Sequence, residues 1–462
     1  MQRYEQLLDL PPNSLVAVTD TVYRYSAPFI TPKPRLGRGP RRPGRVEQLL
    51  DRALSDDLMA GAEWDRLTAD LAASPRGVIA PASLWDRIAE RLLAETIIAD
   101  GVPWMQRYEA LNRLLAHPVG QQAAIAACAN LAADRSNQVF VEPVSVLDAS
   151  AHPDAGSHLL RQLVDPTNDL ARYGALLGCV RKLRYGHFTA PQLLRLVPVV
   201  NTLLEDPTAR EDARPLAVEL LRRLPTELAV RYRTHLRRVA AADRLLRHML
   251  EAGRVVGRET AQTTVVRIVG STVAGLQREA PHFRDQLLPV LVDEMLFHPV
   301  LDVRLYAAML LSAAPYRQPL AAALTAELAT ADHRTETVQA ILEALRVVGG
   351  QEQRPLVERL ITAAGVRPTV MVAATRAIGH MGGRSPDTFW LRAIAHHAVA
   401  ARMSAGNAHN VALAALVYAL GVTRNEPMLR KVTRQPDVPA ESRAAAFWWL
   451  NLPRRIADSA VR

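Results

Sequence analysis

Apolar residues in the last third of the chain recur at helical spacing. Val338, Ile341, Leu342 and Leu345 stand at i, i+3, i+4 and i+7, which is one stripe of a 3.6-residue helix. Two further segments repeat this spacing, namely Val370, Ala373, Ala374 and Ala377, and then Leu413, Leu416, Val417 and Leu420. The pattern predicts a series of amphipathic α-helices between residues 286 and 450.

These helices are predicted to be the second members of helix pairs. Measured between their leading valines, the units are 35, 32 and 41 residues apart; the valines are Val303, Val338, Val370 and Val411. A proline opens each first helix, where its missing N–H costs nothing: Pro319, Pro355, Pro386 and Pro427. Glycines follow second helices, where a left-handed stop is expected: Gly349, Gly350, Gly382, Gly383 and Gly421. One pair cannot bury its own apolar face, so we expect an all-α fold of stacked antiparallel helix pairs.

Units of this kind resemble the repeats of HEAT/armadillo-like α-solenoids, whose periods overlap the spacing found here. The resemblance is clear over residues 286–462, with a cap at the C-terminus, and weaker over residues 46–285, where we expect irregular helical repeats. It implies a stacked body that presents surface to partners. An irregular helical domain whose helices happen to fall in pairs is the alternative.

The upstream body also predicts helices. Periodic apolar positions run through 81–98, 121–131 and 170–180. The segment around Phe140 and Val146 is the one place where a short strand competes with helix.

The first 30 residues predict two short helices around a proline pair. They resemble the end of a repressor-type (xenobiotic-response-element family) helix-turn-helix domain, in which a closing RYExLLxLP helix precedes a short outgoing helix. The matching residues are Arg3, Tyr4, Glu5, Leu7, Leu8, Leu10 and Pro11, followed by Ser14, Leu15 and Val18. The resemblance implies a DNA-binding regulator, and we expect coding sequence for the missing recognition helix upstream of Met1. An ordinary amphipathic helix is the alternative, because 105–109 repeats the opening pentapeptide inside the body.

A basic segment follows at 31–45. Its four prolines and three glycines exclude a helix. Its cations are Lys33, Arg35, Arg38, Arg41, Arg42 and Arg45. We expect an arm that contacts DNA phosphates or a minor groove, or else a solvated spacer between two domains.

A second basic segment carries more net positive charge than remains after the first, so the rest of the chain is net negative. The whole chain carries a net charge of +10, and residues 222–258 hold ten arginines against three acids. Four of these arginines lie near one side of a helix and are candidates for phosphate contacts: Arg233, Arg237, Arg244 and Arg247. An arginine-rich solvated surface is the alternative.

Composition fits a helical protein that packs with small aliphatic side chains. Of the 462 residues, 49% are hydrophobic but only 5% are aromatic. Two cysteines, Cys128 and Cys179, favour a reducing compartment. No leader segment and no run of about twenty apolar residues is evident, so we expect a soluble cytoplasmic protein without a membrane segment.

Candidate chemistry is sparse. His396 and His397 are adjacent and must point to different sides of a helix, although His409 could approach one of them. Asp154, Ser157 and His158 share the residue types of a catalytic triad without its geometry. We therefore predict no catalytic residues, no metal and no cofactor.

Three tryptophans near the C-terminus are candidates for partner contacts: Trp390, Trp448 and Trp449. Capping of the last repeat is the alternative for the final two.

These observations favour a non-catalytic regulatory protein, the helical-repeat body of a bacterial DNA-binding transcription regulator that acts through protein contacts or self-association. A free-standing interaction scaffold is the alternative. A DNA glycosylase-like enzyme that cradles DNA on a helical-repeat surface is a third hypothesis.

Overall fold

Helices make up all the regular structure that the computed structural model describes. It describes residues 2–10, 13–26, 44–73, 81–205, 213–276, 285–330, 336–403 and 407–462. In chain order the α-helices are α1 Gln2–Leu7, α2 Ser14–Ser26, α3 Arg45–Leu54, α4 Gly61–Ala72, α5 Ser83–Ile98, α6 Gly101–Ala116, α7 Gln121–Ala133, α8 Val141–Ser145, α9 Pro153–Val164, α10 Asp169–Arg184, α11 Ala190–Glu205, α12 Ala213–Arg223, α13 Thr226–Ala242, α14 Arg244–Ala252, α15 Arg258–Leu276, α16 Leu288–Phe297, α17 Leu301–Ser312, α18 Arg317–Thr330, α19 Glu336–Val348, α20 Arg354–Thr362, α21 Pro368–His380, α22 Asp387–Met403, α23 Ala408–Val422, α24 Glu426–Arg434, α25 Ala440–Leu450 and α26 Arg454–Ala460. A 3-10 helix, Val146–Ala149, follows α8. The all-α prediction is confirmed for these ranges.

The predicted second helices are present at the expected places. They are α17, α19, α21 and α23, and each buries its apolar stripe. The four prolines stand in the first turn of α18, α20 and α24 or immediately before α22. Proline position therefore located the starts of the first helices correctly.

Most of the predicted glycine stops do not adopt the left-handed backbone that the prediction required. Among the five predicted stops only Gly383 has a left-handed backbone, with φ of 89°. Gly421 lies inside α23, and a Cβ built there would meet the Trp449 ring at 2.0 Å. Gly421 is thus required by the packing of an indole against the helix, because any side chain would occupy the same space.

The segment that could have formed a strand is helical. Residues 141–149 form α8 and the 3-10 helix, which pack against α10. Two glycines of α10 allow this close approach, since a Cβ on Gly174 would meet the Val141 carbonyl oxygen at 2.8 Å and one on Gly178 the Ser145 carbonyl oxygen at 3.0 Å. A helix satisfies its own backbone groups in such a contact, whereas a lone strand would leave them unpaired.

The chain divides into two compact units. Unit 1 contains residues 13–246 and 452–462, apart from the gaps given above. In it, α5, α7, α9, α11 and α13 pack in sequence as one row. A second row contains α4, α6, α8 with the 3-10 helix, α10 and α12. The C-terminal helix α26 packs on α5.

Unit 2 contains residues 2–10 and 247–451. Five neighbouring pairs form its bulk: α16 with α17, α18 with α19, α20 with α21, α22 with α23, and α24 with α25. Each second helix also packs on the second helix of the next pair. Small residues bring these helices close together, because a Cβ on Gly379 of α21 would lie 3.0 Å from Cβ of Ala419 on α23.

The predicted boundaries at 30, 45 and 285 stay predictions, and the contacts of the two units give the following placements. Helices α2 and α3, on either side of the basic segment, belong to the same unit. Helix α2 packs on α6, and Arg24 Nε donates to Glu109 Oε1 at 2.9 Å. The segment therefore joins two helices of one unit rather than two domains. The resemblance of residues 1–30 to a helix-turn-helix tail stays a prediction.

Candidate protein-binding face

The last turns of four consecutive second helices in unit 2 carry side chains that touch one another. Arg346 of α19 places Nη2 3.0 Å from Nε2 of His380 on α21. The rings of His380 and of Tyr418 on α23 have centroids 5.7 Å apart. Tyr418 lies 5.8 Å from Trp449 on α25, again between ring centroids. Together with Trp448 these residues form a continuous row across the four helices, which we call the ladder.

The geometry of the ladder is defined by directional contacts. A guanidinium can only donate, so Nε2 of His380 accepts from Arg346 and the imidazole proton lies on Nδ1. Trp449 meets Tyr418 at an interplanar angle of 75° and Trp448 at 88°. Both are edge-to-face arrangements, which the ring quadrupoles favour.

Most of the ladder is accessible to solvent. Arg346 is exposed, and His380, Tyr418 and Trp448 are half-buried. Trp449 is buried beneath them, against Gly421. The neighbouring Phe447 is 62% exposed. The ladder therefore presents a guanidinium at one end and aromatic rings at the other.

The three predicted partner-binding tryptophans have different environments. Trp390 is 2% exposed and packs edge-on against Phe389, so it is a core residue that a partner cannot reach in this structure. Trp449 supports the ladder from below, and only Trp448 offers surface. Residue type alone did not distinguish them, because tryptophan serves both cores and interfaces.

Sequence reasoning missed Arg346, His380 and Tyr418. A signal existed, since all three stand in the last turn of successive second helices. It was obscured because loops of different length separate the units, so these residues are 34 and 38 positions apart.

The predicted nucleic-acid contacts are only partly described. Lys33, Arg35, Arg38, Arg41 and Arg42 lie outside the described residues. Arg45 is the exposed first residue of α3.

The second basic segment lies on α13 and α14. Arg233 falls in α13, and Arg237 on the same helix is exposed. Arg244 and Arg247 are exposed and one turn apart on α14, which places them on one helix face. Arg237 and Arg244 form no ion pair with an acid in the described part of the chain.

The histidines of α22 and α23 approach each other, as the sequence-based hypothesis of a contact between His409 and one of the two adjacent histidines required. His396 is exposed and His397 buried, and Nδ1 of His397 lies 3.0 Å from Nδ1 of His409. Burial lowers the pKa of His397 to about 4, with the neighbouring His396 and His409 acting in the same direction. No group of three or more metal-ligating side chains occurs among the described residues. The pair is best described as two imidazoles within hydrogen-bond distance of each other.

The residues with triad chemistry are not arranged as a triad. The Ser157 hydroxyl donates to the Pro153 carbonyl at 3.1 Å, and His158 Nδ1 lies 2.6 Å from an Arg161 guanidinium nitrogen. Asp154 accepts from Gln122. Ser157 and His158 are thus engaged within their own helix, and Asp154 is engaged by Gln122 of α7.

Unit 1 contains buried ionic groups that the sequence did not reveal. Glu95 is fully buried and accepts from Trp64 Nε1 at 2.7 Å, Arg91 Nε at 2.9 Å and Arg107 Nε at 3.2 Å. Three donors satisfy the carboxylate, so the cluster joins α4, α5 and α6 as a structural element.

Lys182, one of three lysines in the chain, is also fully buried, in α10. Burial lowers its pKa to about 8, while Asp148 opposes the shift. Perturbed lysines often serve catalysis. Here Nζ donates to the Ser150 carbonyl and has no exposure, so we interpret Lys182 as a structural link between α10 and the loop that precedes α9.

Comparison with known proteins gives no family. No family model and no curated protein sequence matches the chain. A solved engineered protein from the Northeast Structural Genomics Consortium aligns with 89% of this chain and 99% of its own at 16% identity, with a TM-score of 0.23. So low a score carries no argument about fold or function. Among the described helices, none combines the length and apolar character that crossing a bilayer requires.

Proposed function

We propose that this chain is an α-solenoid of HEAT-like helix pairs, the non-catalytic body of a regulatory protein that acts by binding a protein partner. The observation that carries the proposal is the ladder. Side chains from four successive second helices meet on one accessible face, although they are up to about a hundred residues apart in sequence. Such extended faces are how stacked repeats bind their partners.

A peptide-display selection with the whole chain as bait tests this proposal. Random segments should be enriched, and their binding should fall at least tenfold in Trp448→Ala. Met403→Ala is the matched control, because Met403 is 83% exposed on the first helix α22 and is not part of the ladder. Failure to enrich any segment, or binding that survives Trp448→Ala, would contradict the proposal.

A second candidate function is nucleic-acid binding within the same regulator. It is favoured by the exposed arginines of α13 and α14, since Arg237 and Arg244 form no ion pair with a described acid. Arginines that neutralise phosphates make affinity fall steeply as salt rises.

A gel-shift at low and high salt, with the whole chain and with residues 31–45 deleted, measures this activity. Salt-sensitive binding that weakens on deletion assigns the contact to the basic segment. Salt-sensitive binding that persists assigns it to α13 and α14. No shift at low salt rejects the nucleic-acid role and leaves a protein scaffold.

A further inference from the structure

The ladder has different chemistry at its two ends. At the α19 end, exposed Arg346 hydrogen-bonds a neutral imidazole nitrogen rather than a carboxylate. The nearest acid on its own helix is Glu343, and that carboxylate already accepts from Arg304 at 2.6 Å. This end therefore offers a guanidinium that forms no ion pair with an acid in the described part of the chain.

The middle of the ladder contains no competing negative charge. Helices α21 and α23, which supply His380 and Tyr418, contain neither aspartate nor glutamate in their sequences. A carboxylate brought to Arg346 would not meet acidic side chains on these two helices. A bidentate bond between a guanidinium and a carboxylate is the geometry that arginine favours.

The opposite end is apolar and aromatic. Trp448 is half-buried and Phe447 is 62% exposed, both on α25. Large exposed aromatic side chains are the residues that most often dominate binding energy at protein interfaces. This end suits an aromatic or large aliphatic side chain.

The distance between the ends determines the length of the occupant. The contacts along the ladder measure 3.0 Å from Arg346 to His380 and then 5.7, 5.8 and 5.1 Å between successive ring centroids. The guanidinium and the Trp448 ring therefore lie at most about 21 Å apart, a distance that an extended chain of about six residues covers. A single helix of six residues would reach only about 9 Å.

We infer that the ladder binds an extended segment of a partner protein that carries a carboxylate opposite Arg346 and, at most about six residues away, an aromatic or large aliphatic side chain opposite Trp448. The inference rests on the proposed function and adds the chemistry of the partner to it. Charge complementarity at one end and aromatic packing at the other select this occupant over a basic segment or a nucleic acid.

Parallel display selections on the wild type and on Arg346→Glu test the inference. Arg346 is exposed, so the substitution should leave the fold intact, which circular dichroism verifies. Segments selected by the wild type should share an acidic position and a distant aromatic one. Segments selected by Arg346→Glu should carry a basic residue in place of the acid. Arg392→Glu on α22, another exposed arginine, is the control and should select the wild-type pattern.

A double-mutant cycle on the best wild-type segment gives the pairwise contribution. Replacing its acid by alanine should weaken binding at least tenfold to the wild type and should leave binding unchanged when Arg346→Gln is already present. Ladder-dependent segments without an acidic preference, or equal selection by Arg346→Glu, would overturn the inference while leaving the proposed function standing. If no selected segment depended on the ladder, both the inference and the proposed function would be contradicted.

Discussion

Gly421 is the residue at which the Trp449 ring packs directly against the backbone of a helix. In sequence it follows an apolar helical run, where a left-handed stop is predicted. The structure places it within α23 with Trp449 lying across its Cα. The partner residue is 28 positions away, and no local pattern encodes that contact. Local sequence did not reveal tryptophan burial either, since Trp390 and Trp448 both directly follow a phenylalanine, yet Trp390 is buried and Trp448 is only half-buried.

Substituting this glycine should destabilise the protein despite alanine's higher helix propensity. Gly421→Ala forces a methyl group into the Trp449 ring, and overpacking of this kind costs about 1–3 kcal/mol. Gly270→Ala is the matched control, because Gly270 is an exposed glycine inside α15 with no atom within 4 Å of the added Cβ. It should stabilise by up to about 1 kcal/mol. Urea unfolding of both variants measures the difference, and equal midpoints would refute the steric account.

His117 gives unit 1 a dependence on pH. Its Nδ1 accepts from the backbone N–H groups of Val119 at 3.2 Å and Gly120 at 3.1 Å. Desolvation by burial lowers the pKa of His117, and a backbone hydrogen bond to Leu71 opposes the shift only in part. The unfolded chain therefore binds more protons than the folded chain between the lowered pKa and the ordinary value of about 6.5. Stability should be complete above that value and fall as pH decreases below it.

Comparing His117→Asn with the wild type isolates this contribution. Asparagine can accept the same backbone N–H groups but does not titrate. The free energy of unfolding should decrease less in the variant than in the wild type when pH is lowered from about 7 to about 5. Residual pH dependence is expected, since burial also lowers the pKa of His158 and His187. Identical pH profiles would exclude His117 as a contributor.

The positions of the helices were the easiest feature to predict from the sequence. The contacts between helices were the hardest. Apolar spacing and prolines located α17 to α24 because both signals are local. These local signals did not decide between strand and helix at 140–146, because the helical packing of this segment involves Gly174 and Gly178 of α10. Helix α26 is a clearer case. It was expected to close the C-terminal repeats but instead packs on α5 of unit 1.

The hydrogen bonds of α26 predict a measurable contribution to unit 1. Buried Met59 N–H donates to Ser459 Oγ at 3.2 Å. Ser459→Ala removes that acceptor and leaves a buried donor unsatisfied, which costs about 1–3 kcal/mol. Arg455→Ala is the control on the same helix, because it breaks only a solvent-exposed ion pair with Asp56. Unfolding midpoints should fall for the first variant and stay near wild type for the second; the reverse order would contradict the assignment.

For the molecule as a whole, composition predicted fold class and little of the organisation. Few aromatics and abundant alanine, leucine and valine indicate helices throughout. The Pro/Gly-rich segment at 31–45 suggested a domain boundary, yet α2 and α3 on either side lie in one unit. Such a composition identifies a break in regular structure. It does not reveal whether the helices on either side of the break belong to one unit or to two.

The two cysteines report on the opening of unit 1. Both are fully buried, and burial raises the pKa of Cys128 to about 12 and that of Cys179 further. A thiolate is the reactive form, so a thiol reagent should label the native protein very slowly and the urea-unfolded protein rapidly. Ser459→Ala should accelerate labelling under native conditions, whereas Arg455→Ala should not. Rapid labelling of the native wild type would show that these side chains are accessible.

The return of the C-terminus to unit 1 has a consequence for biosynthesis. Arg107 has no exposure, and its guanidinium donates to the carbonyls of Met59 and Ser459, which lie 400 residues apart. A ribosome therefore delivers the first of these partners long before the second. Throughout the translation of residues 247–451 the nascent unit 1 must persist with this guanidinium lacking one acceptor. Its final closure can occur only after Ser459 has left the exit tunnel.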